Sequence, residues 1–522
     1  MSQLKPIPVV DLFAGPGGLG EGFASLRSGN AFNIVVSVEK DPSAYQTLLV
    51  RAFYRNAFRY GKRYLRSYYN YCNGRTQVPW DETNEDLWNS AKKEVLNAEL
   101  GTKSASVKLE ASLKAHKIRP SKPWVLIGGP PCQAYSIAGR SRNLGKIGYV
   151  AEEDQRHFLY KEYLSIIKKY SPSIFVMENV KGLLSSKING NHVFHSIVKD
   201  LSSPNGTKLG PKYRIHSLST QTFYESCMHL QDIDLRDYVI QAEDFGIPQS
   251  RHRVILLGIR DDLSIYPETL QKTAQTTVAD AIFALPPVRS SISRKVKKED
   301  DEYYEWIETF RSNQELLMAE SKMRPNLTDI YAILKCLDVK KTTGNIGGIR
   351  QPYDFNFTSP NTTLDKWYKD TELKVLLNHE ARAHMGSDLY RYLYASTYSL
   401  ARGRSPKGHL EFDLKKLAPN HKNWESGAFS DRFRVQCFDK PATTITSHIA
   451  KDGNYFIHPD PMQCRSLTVR EAARIQTFPD NYFFHGNRTE QYHQVGNAVP
   501  PLLAHKIAGI VYKALKKTAP RF

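Results

Sequence analysis

The chain has 522 residues, of which 41% are hydrophobic and 24% are charged, a composition that is ordinary for a soluble globular protein. A single core stops growing at about 250–300 residues, so this length predicts two domains. A formal net charge of +19 predicts a polyanionic partner without separating DNA from RNA or a membrane surface. No apolar run approaches the ~18 residues of a membrane span, and six scattered cysteines without a C-x-x-C pair argue against a disulfide framework or a zinc ribbon.

The first predicted strand, residues 7–13, begins too close to the N-terminus for a signal peptide to precede it, so we do not expect secretion. A glycine-rich turn follows, in which Gly15, Gly17 and Gly20 have the spacing G-x-G-x-x-G, and Glu39 ends the next predicted strand. Glycines let the backbone approach a ligand closely, and a carboxylate about 20 residues further on can accept both hydroxyls of a ribose. Taken alone, the pattern fits a nicotinamide or flavin dinucleotide equally well.

A basic stretch comes next, because residues 51–80 contain no acidic residue. Its cations recur at helical spacing among aromatic residues: Arg51, Arg55, Arg59, Lys62, Arg63 and Arg66. Two interpretations are open. The cations could follow the phosphates of a nucleic acid, or they could form a solvated face of a helix that packs its aromatic side chains inward.

Cys132 lies on a proline-stiffened loop directly after a predicted strand, residues 124–127, as a nucleophile would. Polar groups and backbone amides follow it, which favours the thiolate, although an isolated loop cysteine is more often inert. Glu178 ends another apolar strand, where a glutamate either takes part in acid–base chemistry or caps a helix. Arg251 and Arg253 are two residues apart and so point to the same side of a strand; they could contact a substrate or form simple salt bridges.

Short apolar strands alternate with amphipathic stretches throughout the N-terminal half, which predicts a doubly wound α/β sheet. The predicted strands are residues 7–13, 34–39, 124–127, 174–178, 238–242 and 254–259. From about residue 266 the chain becomes charge-rich and irregular, and regular helical patterns return after residue 467, ending in a helix over 501–515.

The segment His379-Glu380-Ala381-Arg382-Ala383-His384 invites comparison with the metalloprotease motif H-E-x-x-H. Its second histidine comes five residues after the first rather than four, so the two would diverge on a helix and could not share a zinc ion. We predict a structural or DNA-facing segment and no metal site.

Several blocks, taken in order, resemble the DNA cytosine-5 methyltransferase family of the bacterial restriction–modification type. They are the glycine-rich block 11–20, the Pro-Pro-Cys-Gln loop 130–133, Met-Glu-Asn-Val at 177–180, Gln-Ser-Arg-His-Arg at 249–253, Lys-Pro-Ala-Thr-Thr-Ile-Thr at 440–446 and Gly-Asn-Ala-Val at 496–499. The conjunction of these blocks in this order is far more specific than any one of them.

The resemblance implies transfer of a methyl group from S-adenosylmethionine to C5 of cytosine. In that interpretation Cys132 attacks C6 of the ring and Glu178 keeps a proton available for N3. One of Arg251 and Arg253 contacts O2, and the other holds the loop or neighbouring carboxylates. The target base is inaccessible inside a duplex, so it flips out into the pocket that holds Cys132, and residues 139–148 close over it.

The resemblance also implies which residues bind the cofactor. Phe13 would be the aromatic residue beside it, Gly15 and Gly17 would form its loop, Glu39 would accept its ribose hydroxyls, and Asn497 would touch it from the last block. The family usually has a third short strand that ends in an acidic residue at the adenine amino group. No such strand is evident in residues 51–123, so adenine recognition stays unassigned.

The family implies three parts: a catalytic domain over 1–265, an inserted target-recognition domain over 266–464, and a C-terminal segment, 465–522, that completes the catalytic domain. We expect a cytoplasmic, nucleoid-associated protein whose substrate is double-stranded DNA and whose partners include a cognate restriction endonuclease or defence-system proteins, with no membrane. The alternatives are methylation of RNA cytosine on the same scaffold and a non-catalytic DNA-binding relative; the intact Cys132 and Glu178 argue against the last.

Overall fold

A computed structural model of the chain describes residues 5–131, 159–188, 191–206, 210–293, 303–353, 358–414, 416–420, 424 and 432–517. By packing, the chain divides into two compact units, each built from discontinuous stretches. The first unit contains Met1–Tyr71, Gln77–Ala274 and Ala498–Phe522, and the second contains Cys72–Thr76 and Gln275–Asn497.

Within the described residues the strands are β1 (Ile7–Leu12), β2 (Phe32–Glu39), β3 (Val95–Asn97), β4 (Val125–Gly128), β5 (Ile174–Val180), β6 (Lys187–Ile188), β7 (Asn191–His192), β8 (Tyr213–His216), β9 (Phe223–Tyr224), β10 (Val239–Gln241), β11 (Gln249–Ser250), β12 (His252–Arg260), β13 (Gly347–Pro352), β14 (Val375–Glu380) and β15 (Ala442–Thr443). The helices are α1 (Gly18–Ser25), α2 (Pro42–Tyr60), α3 (Arg66–Cys72), α4 (Glu85–Glu94), α5 (Lys103–Ala115), α6 (Leu159–Tyr170), α7 (Val193–Ser202), α8 (Val278–Ile282), α9 (Tyr303–Lys322), α10 (Thr328–Cys336), α11 (Thr362–Tyr368), α12 (Gly386–Arg402), α13 (Gly408–Glu411), α14 (Val469–Ile475), α15 (Arg488–Asn497) and α16 (Pro501–Lys516).

The first unit is organised around one large sheet with the strand order β3-β2-β1-β4-β5-β12-β8-β9, and β10 also pairs with β12. Strands β3 to β5 in this order are parallel, and β12 runs antiparallel to β5. The predicted α/β fold is confirmed.

Both faces of this sheet are buried, because successive side chains of a strand point to opposite sides. Val9 packs into one apolar cluster, whereas Val10 packs into the other. In the same way, Val125 belongs to the first of these clusters and Leu126 to the second. The near-continuous apolar runs of β1 and β4 are therefore explained by helices on both faces.

Strand β3 corrects the sequence-based expectation that residues 51–123 hold no third strand. It has only three residues, pairs in parallel with β2, and places Asn97 opposite Glu39. A run this short carries too little apolar pattern to be recognised from sequence. The tertiary pairing with β2, rather than local propensity, forms this strand.

The last helix, α16, packs against α1 within the first unit. A Cβ atom at Gly22 would lie 2.3 Å from the Cβ of Ala504, so only glycine permits this close approach. The Ser25 hydroxyl and Nδ1 of His505 are 2.8 Å apart and hydrogen-bond at the same interface. Helix α1 is thus held between the sheet and the end of the chain.

The second unit has an apolar core formed largely by α9, α10 and α12, with β13 and β14 as an antiparallel pair. The segment compared above with a metalloprotease is structural, because His379 and His384 are both buried. His379 contacts the hydroxyl of Thr468 at 3.0 Å and the carbonyl of Pro286 at 2.9 Å.

Among the described residues, no helix is both long and apolar enough to cross a membrane.

Candidate active site

Four parallel strand ends meet at one edge of the sheet in the first unit. Strands β2, β1, β4 and β5 are neighbours, so their carboxyl ends lie side by side, where open α/β sheets bind ligands. In the register, Leu12 is opposite Gly128, and Gly128 is opposite Met177. The residues that follow Leu12 and Met177 are Phe13 and Glu178, and both therefore lie at this edge.

The glycine-rich loop between β1 and α1 has an unusual backbone. Phe13 is partly buried and adopts φ 57°, a left-handed conformation that is uncommon for a bulky residue and is often found at functional turns. Gly17 has φ 95° and is the N-cap residue of α1, a conformation that favours glycine. The loop thus presents backbone N–H groups at the N-terminus of a helix, where negatively polarised ligand atoms are stabilised.

Glu39 fastens this loop to the end of β2. Its Oε2 accepts a hydrogen bond from the Gly15 N–H at 2.8 Å, and its Oε1 accepts from the N–H groups of Lys40 at 2.9 Å and Asp41 at 2.7 Å. Burial raises the pKa of Glu39, although the backbone N–H groups oppose the shift. The carboxyl group predicted to meet the cofactor is therefore fixed in place by three backbone donors.

Asn97 ends β3 beside Glu39 and is a candidate site residue that sequence reasoning missed. Its Nδ2 donates to the carbonyl oxygens of Glu39 at 3.1 Å and of Lys40 at 3.3 Å. Because the amide nitrogen is directed to these backbone acceptors, the amide oxygen Oδ1 is oriented away from them. The only sequence signal is an asparagine after two apolar residues, which is too weak to single out.

Asp11, within β1, is a second residue that sequence reasoning did not single out. Its carboxyl group is buried and faces Gly20, where a Cβ atom would lie 2.8 Å from Oδ2. Burial raises the pKa of Asp11 to about 8, although Arg55 opposes the shift. The side chain is thus part of the support beneath the glycine-rich loop.

Glu178 and Arg253 form an ion pair across β5 and β12, with Oε1 and Nε 3.0 Å apart. Arg253 is opposite Val180 in the antiparallel register, so it is a diagonal neighbour of Glu178 on the same face. Burial lowers the pKa of Arg253, and Glu178 opposes this. Both side chains remain about 15% exposed, so they can meet a ligand at the sheet edge.

Arg251 precedes β12 and has a different partner from Arg253. It is only 2% exposed, and its Nη2 donates to the carbonyl oxygen of Ala498 at 2.8 Å. Burial and the neighbouring Arg253 lower the pKa of Arg251 well below its usual range. The two arginines are therefore brought to the same region, where Arg253 holds a carboxylate and Arg251 holds the backbone of the last block.

The loop that carries Cys132 starts at the same edge. The carbonyl oxygen of Pro130 accepts a hydrogen bond from Nδ2 of the buried Asn179 at 3.3 Å. A Cβ atom at Gly129 would lie 3.1 Å from Oε2 of Glu178, so the glutamate lies directly against the start of the loop. Cys132 itself and residues 139–148 lie outside the described residues, and their predicted roles stay predictions.

Asn497 is the last residue of α15 and is exposed. It belongs to the second unit, whereas the adjacent Ala498 belongs to the first. The preceding Gly496 packs tightly in the second unit, because a Cβ atom there would lie 2.3 Å from the backbone of Thr446 and of Ser447. The predicted contact of Asn497 with the cofactor stays a prediction.

Comparison with known proteins adds family information to this geometry. The family described as C-5 cytosine-specific DNA methylase matches residues 86–513. The Type II methyltransferase M.Bpa9945I of Bacillus paralicheniformis is 32% identical over 97% of this chain and 98% of its own length. M.DdeI of Desulfomicrobium norvegicum is 25% identical, covering 96% and 87%. A crystal structure of a prophage-encoded DNA modification methyltransferase from E. coli has the same fold, with a TM-score of 0.52, 20% identity and coverage of 98% and 99%.

Proposed function

The chain belongs to the C-5 cytosine-specific DNA methylase family, and on this premise we propose that it methylates cytosine within one specific sequence of double-stranded DNA, as the modification enzyme of a restriction–modification system. The family, the enzyme class and S-adenosylmethionine as the cofactor agree with the sequence-based expectations and are confirmed. The observation that carries the proposal is that one sheet edge holds the loop bound to Glu39 and the Glu178–Arg253 ion pair.

The residues at this edge fit S-adenosylmethionine, which supplies the methyl group. A Cβ atom built at Gly15 would meet no atom within 4 Å, so the loop faces open space. Phe13 would lie beside the cofactor, the backbone of Gly15 and Gly17 would line it, and Glu39 would accept hydrogen bonds from its ribose hydroxyls. Asn497 would contact it from the last block.

Asn97 takes the place that the family gives to an acidic residue at the end of the third strand. Its Oδ1 can accept a hydrogen bond from the adenine amino group, because Nδ2 already donates to backbone carbonyls. An amide in this position keeps the acceptor and removes the charge.

The chemistry at the base would use Cys132, Glu178 and Arg253. The Cys132 thiolate adds to C6 of cytosine while Glu178 gives a proton to N3, which makes C5 nucleophilic enough to take the methyl group. As the bond from the methyl group to C5 forms, its bond to the sulfonium sulfur of S-adenosylmethionine would break, and S-adenosylhomocysteine would leave. A base then removes the C5 proton, the C6–S bond breaks, N3 returns its proton, and the thiolate is released. Arg253 would act by fixing the orientation of the Glu178 carboxyl group.

Base flipping would bring the cytosine to these residues at an unstacking cost of a few kcal/mol, and residues 139–148 would close over it. Residues 266–464 would read the sequence. The C-terminal segment, 465–522, would complete the catalytic domain through its last part, Ala498–Phe522, which belongs to the first unit. A cognate endonuclease would cut the same sequence when it is unmethylated. This substrate also favours a cytoplasmic location near the nucleoid.

The proposal is tested by incubating the protein with S-adenosylmethionine labelled in the methyl group and either duplex DNA or RNA. We expect label in DNA only, and sequencing of methylated cytosines should find them in one sequence context. Label in RNA alone would assign an RNA methyltransferase. Duplex binding without label in either would assign a non-catalytic relative.

A further inference from the structure

The basic stretch that begins at Arg51 is divided into two parts by Gly61. Helix α2 ends at Tyr60, and Gly61 has φ 118°, which glycine adopts readily and other residues rarely do. The chain then forms a short 3₁₀ helix, Lys62–Leu65, before α3. Cations before and after Gly61 therefore do not share one helical face.

The arginines before Gly61 are internal. Arg51 forms a two-pronged ion pair with Glu21, at 2.8 and 2.6 Å, and Arg55 pairs with Glu94 at 2.5 Å. Arg59 donates to the carbonyl oxygen of Phe32 at 2.7 Å. Both interpretations offered for the basic stretch are wrong for these three residues, because they neither follow phosphates nor form a solvated face; they fasten α2 to α1, α4 and β2.

The cations after Gly61 are exposed and are here called the basic turn: Lys62, Arg63 and Arg66. None of them forms an ion pair with an acidic side chain in the part of the chain that the structure describes. Other exposed lysines of this unit do have such partners; Lys40 pairs with Glu99 at 2.9 Å. The basic turn is thus a local excess of positive charge with no internal counter-charge among the described residues.

Aromatic residues hold the basic turn in place. The Arg63 guanidinium lies 4.6 Å from the ring centroid of Tyr64, and Tyr60 packs edge-on against Tyr64 with the centroids 5.9 Å apart. Tyr60 is 66% exposed and Phe58 is 44% exposed. Nη2 of Arg63 also donates to the Tyr64 hydroxyl at 2.5 Å. The guanidinium is therefore held against this side chain, and its remaining N–H groups can donate to an anion with a smaller loss of entropy.

We propose that the basic turn binds the phosphate backbone of duplex DNA outside the recognised sequence. This inference rests on the proposed function for the identity of the polyanion. Exposed cations without counter-charge among the described residues, one of them pre-oriented on an aromatic ring, can neutralise phosphates and so contribute affinity that does not depend on sequence. The contact would hold the enzyme on DNA before and after it meets its target.

The test compares two triple variants of the full chain on a labelled duplex of random sequence across a salt series. The first, Lys62→Ser/Arg63→Ser/Arg66→Ser, removes the basic turn. The matched control, Lys103→Ser/Lys108→Ser/Lys114→Ser, removes three exposed cations of α5. A plot of log K against log salt has a negative slope. We expect this slope to become shallower by about 2.7 in the first variant, or about 0.9 for each phosphate that is no longer neutralised, and to change little in the control.

Three results would overturn the inference. Equal slope changes in both variants would indicate only a decrease in general charge, and an unchanged slope in the first variant would show that the basic turn contacts no phosphate. The inference would also be overturned if the first variant bound single-stranded RNA more weakly than wild type but bound the duplex unchanged. Wild-type protein that labels no DNA at all would contradict the proposed function instead. Thermal melting and binding of S-adenosylmethionine should match wild type in both variants, since all six side chains are exposed.

Discussion

Arg251 donates from its buried guanidinium to the carbonyl oxygen of Ala498, 247 positions away in the sequence. The bond connects the start of β12 to the start of the segment that leads into α16. Two of the blocks that resemble the family are therefore joined directly inside the first unit. An arginine that the sequence suggested for a substrate has a structural partner.

Replacing this arginine should destabilise the first unit. Arg251→Met removes the donor to Ala498 and leaves a buried carbonyl without it, which should cost about 1–3 kcal/mol in the free energy of unfolding. Denaturant unfolding measures the decrease. Arg236→Met is the matched control, because its side chain is 86% exposed and its ion pair with Asp234 lies at the surface. Equal effects in both variants would contradict a special role for the Arg251 bond.

Cys132→Ala should abolish methyl transfer and leave binding of S-adenosylmethionine unchanged, because the thiol is required only for addition to the base. Wild-type protein should also form a covalent adduct with DNA that carries 5-fluorocytosine, since the fluorine cannot leave from C5 as a proton does. Gel shift under denaturing conditions measures the adduct. Cys227→Ala is the control, as Cys227 is an exposed free cysteine. Activity retained by Cys132→Ala would remove the nucleophile assignment.

Glu39→Gln should weaken binding of S-adenosylmethionine by about 1–3 kcal/mol, roughly 5- to 150-fold in Kd, because ribose hydroxyls would no longer meet a charged acceptor. The amide has a single acceptor oxygen, so it keeps either the bond from Gly15 or those from Lys40 and Asp41, and the lost loop contact adds to the decrease. Calorimetry measures the affinity, with Glu99→Gln as an exposed control at the end of the same edge. Unchanged cofactor affinity together with tight binding of NAD would revive the dinucleotide interpretation.

Glu178→Gln and Arg253→Met should each lower kcat strongly, and the double variant should be little worse than Glu178→Gln alone. The reason is that Arg253 would act through the carboxyl group it contacts at 3.0 Å, so its effect disappears once Glu178 is changed. Single-turnover kinetics of the three variants give the comparison. Additive decreases would assign Arg253 a contact of its own with the substrate.

The second unit should lose stability in mild acid because of its buried histidines. Burial lowers the pKa of His379 and of His458 to about 4, from an ordinary value of 6.5. Between pH 4 and 6.5 the unfolded chain therefore binds more protons than the folded chain. The free energy of unfolding contributed by these histidines is complete above about pH 6.5 and falls as the pH drops towards 4. For His379 alone the free energy of unfolding should decrease by roughly 3 kcal/mol across this range. Unfolding measured across this range should show a smaller pH dependence in His379→Gln, whereas the exposed His116→Gln should resemble wild type.

Sequence patterns predicted the parts of the fold that depend on local periodicity. Strands β1, β4 and β5 and the glycine-rich turn follow from apolar runs and from the residues that interrupt them. Glu178 was predicted to end its strand, but β5 continues to Val180, because pairing with β12 extends it. Arg51 and Arg55 show what local patterns cannot predict. Their spacing correctly placed them on one face of a helix, but it did not identify the side chains that this face contacts. Their acidic partners are 30 and 39 positions away in the sequence, and no local pattern identifies a partner at that separation.

The missed residues have the same physical cause. Asn97 becomes a candidate only when β3 pairs with β2, because three residues without an apolar run have no preference of their own. Asp11 looked like part of a motif, yet its environment is created by the packing of α1 and α2 above β1. In both cases the tertiary neighbours decide what the side chain can do.

The close packing of Gly22 against Ala504 also constrains how the protein is made. The bond between Ser25 and His505 joins residues 480 positions apart, and α16 is synthesised after every other described element. The helix that follows the glycine-rich loop therefore has an uncovered apolar side until α16 has been synthesised, and in that interval the nascent chain is open to chaperones. We expect a nascent chain that still lacks α16 to have an unsupported glycine-rich loop, so methylation should begin only after α16 has been synthesised.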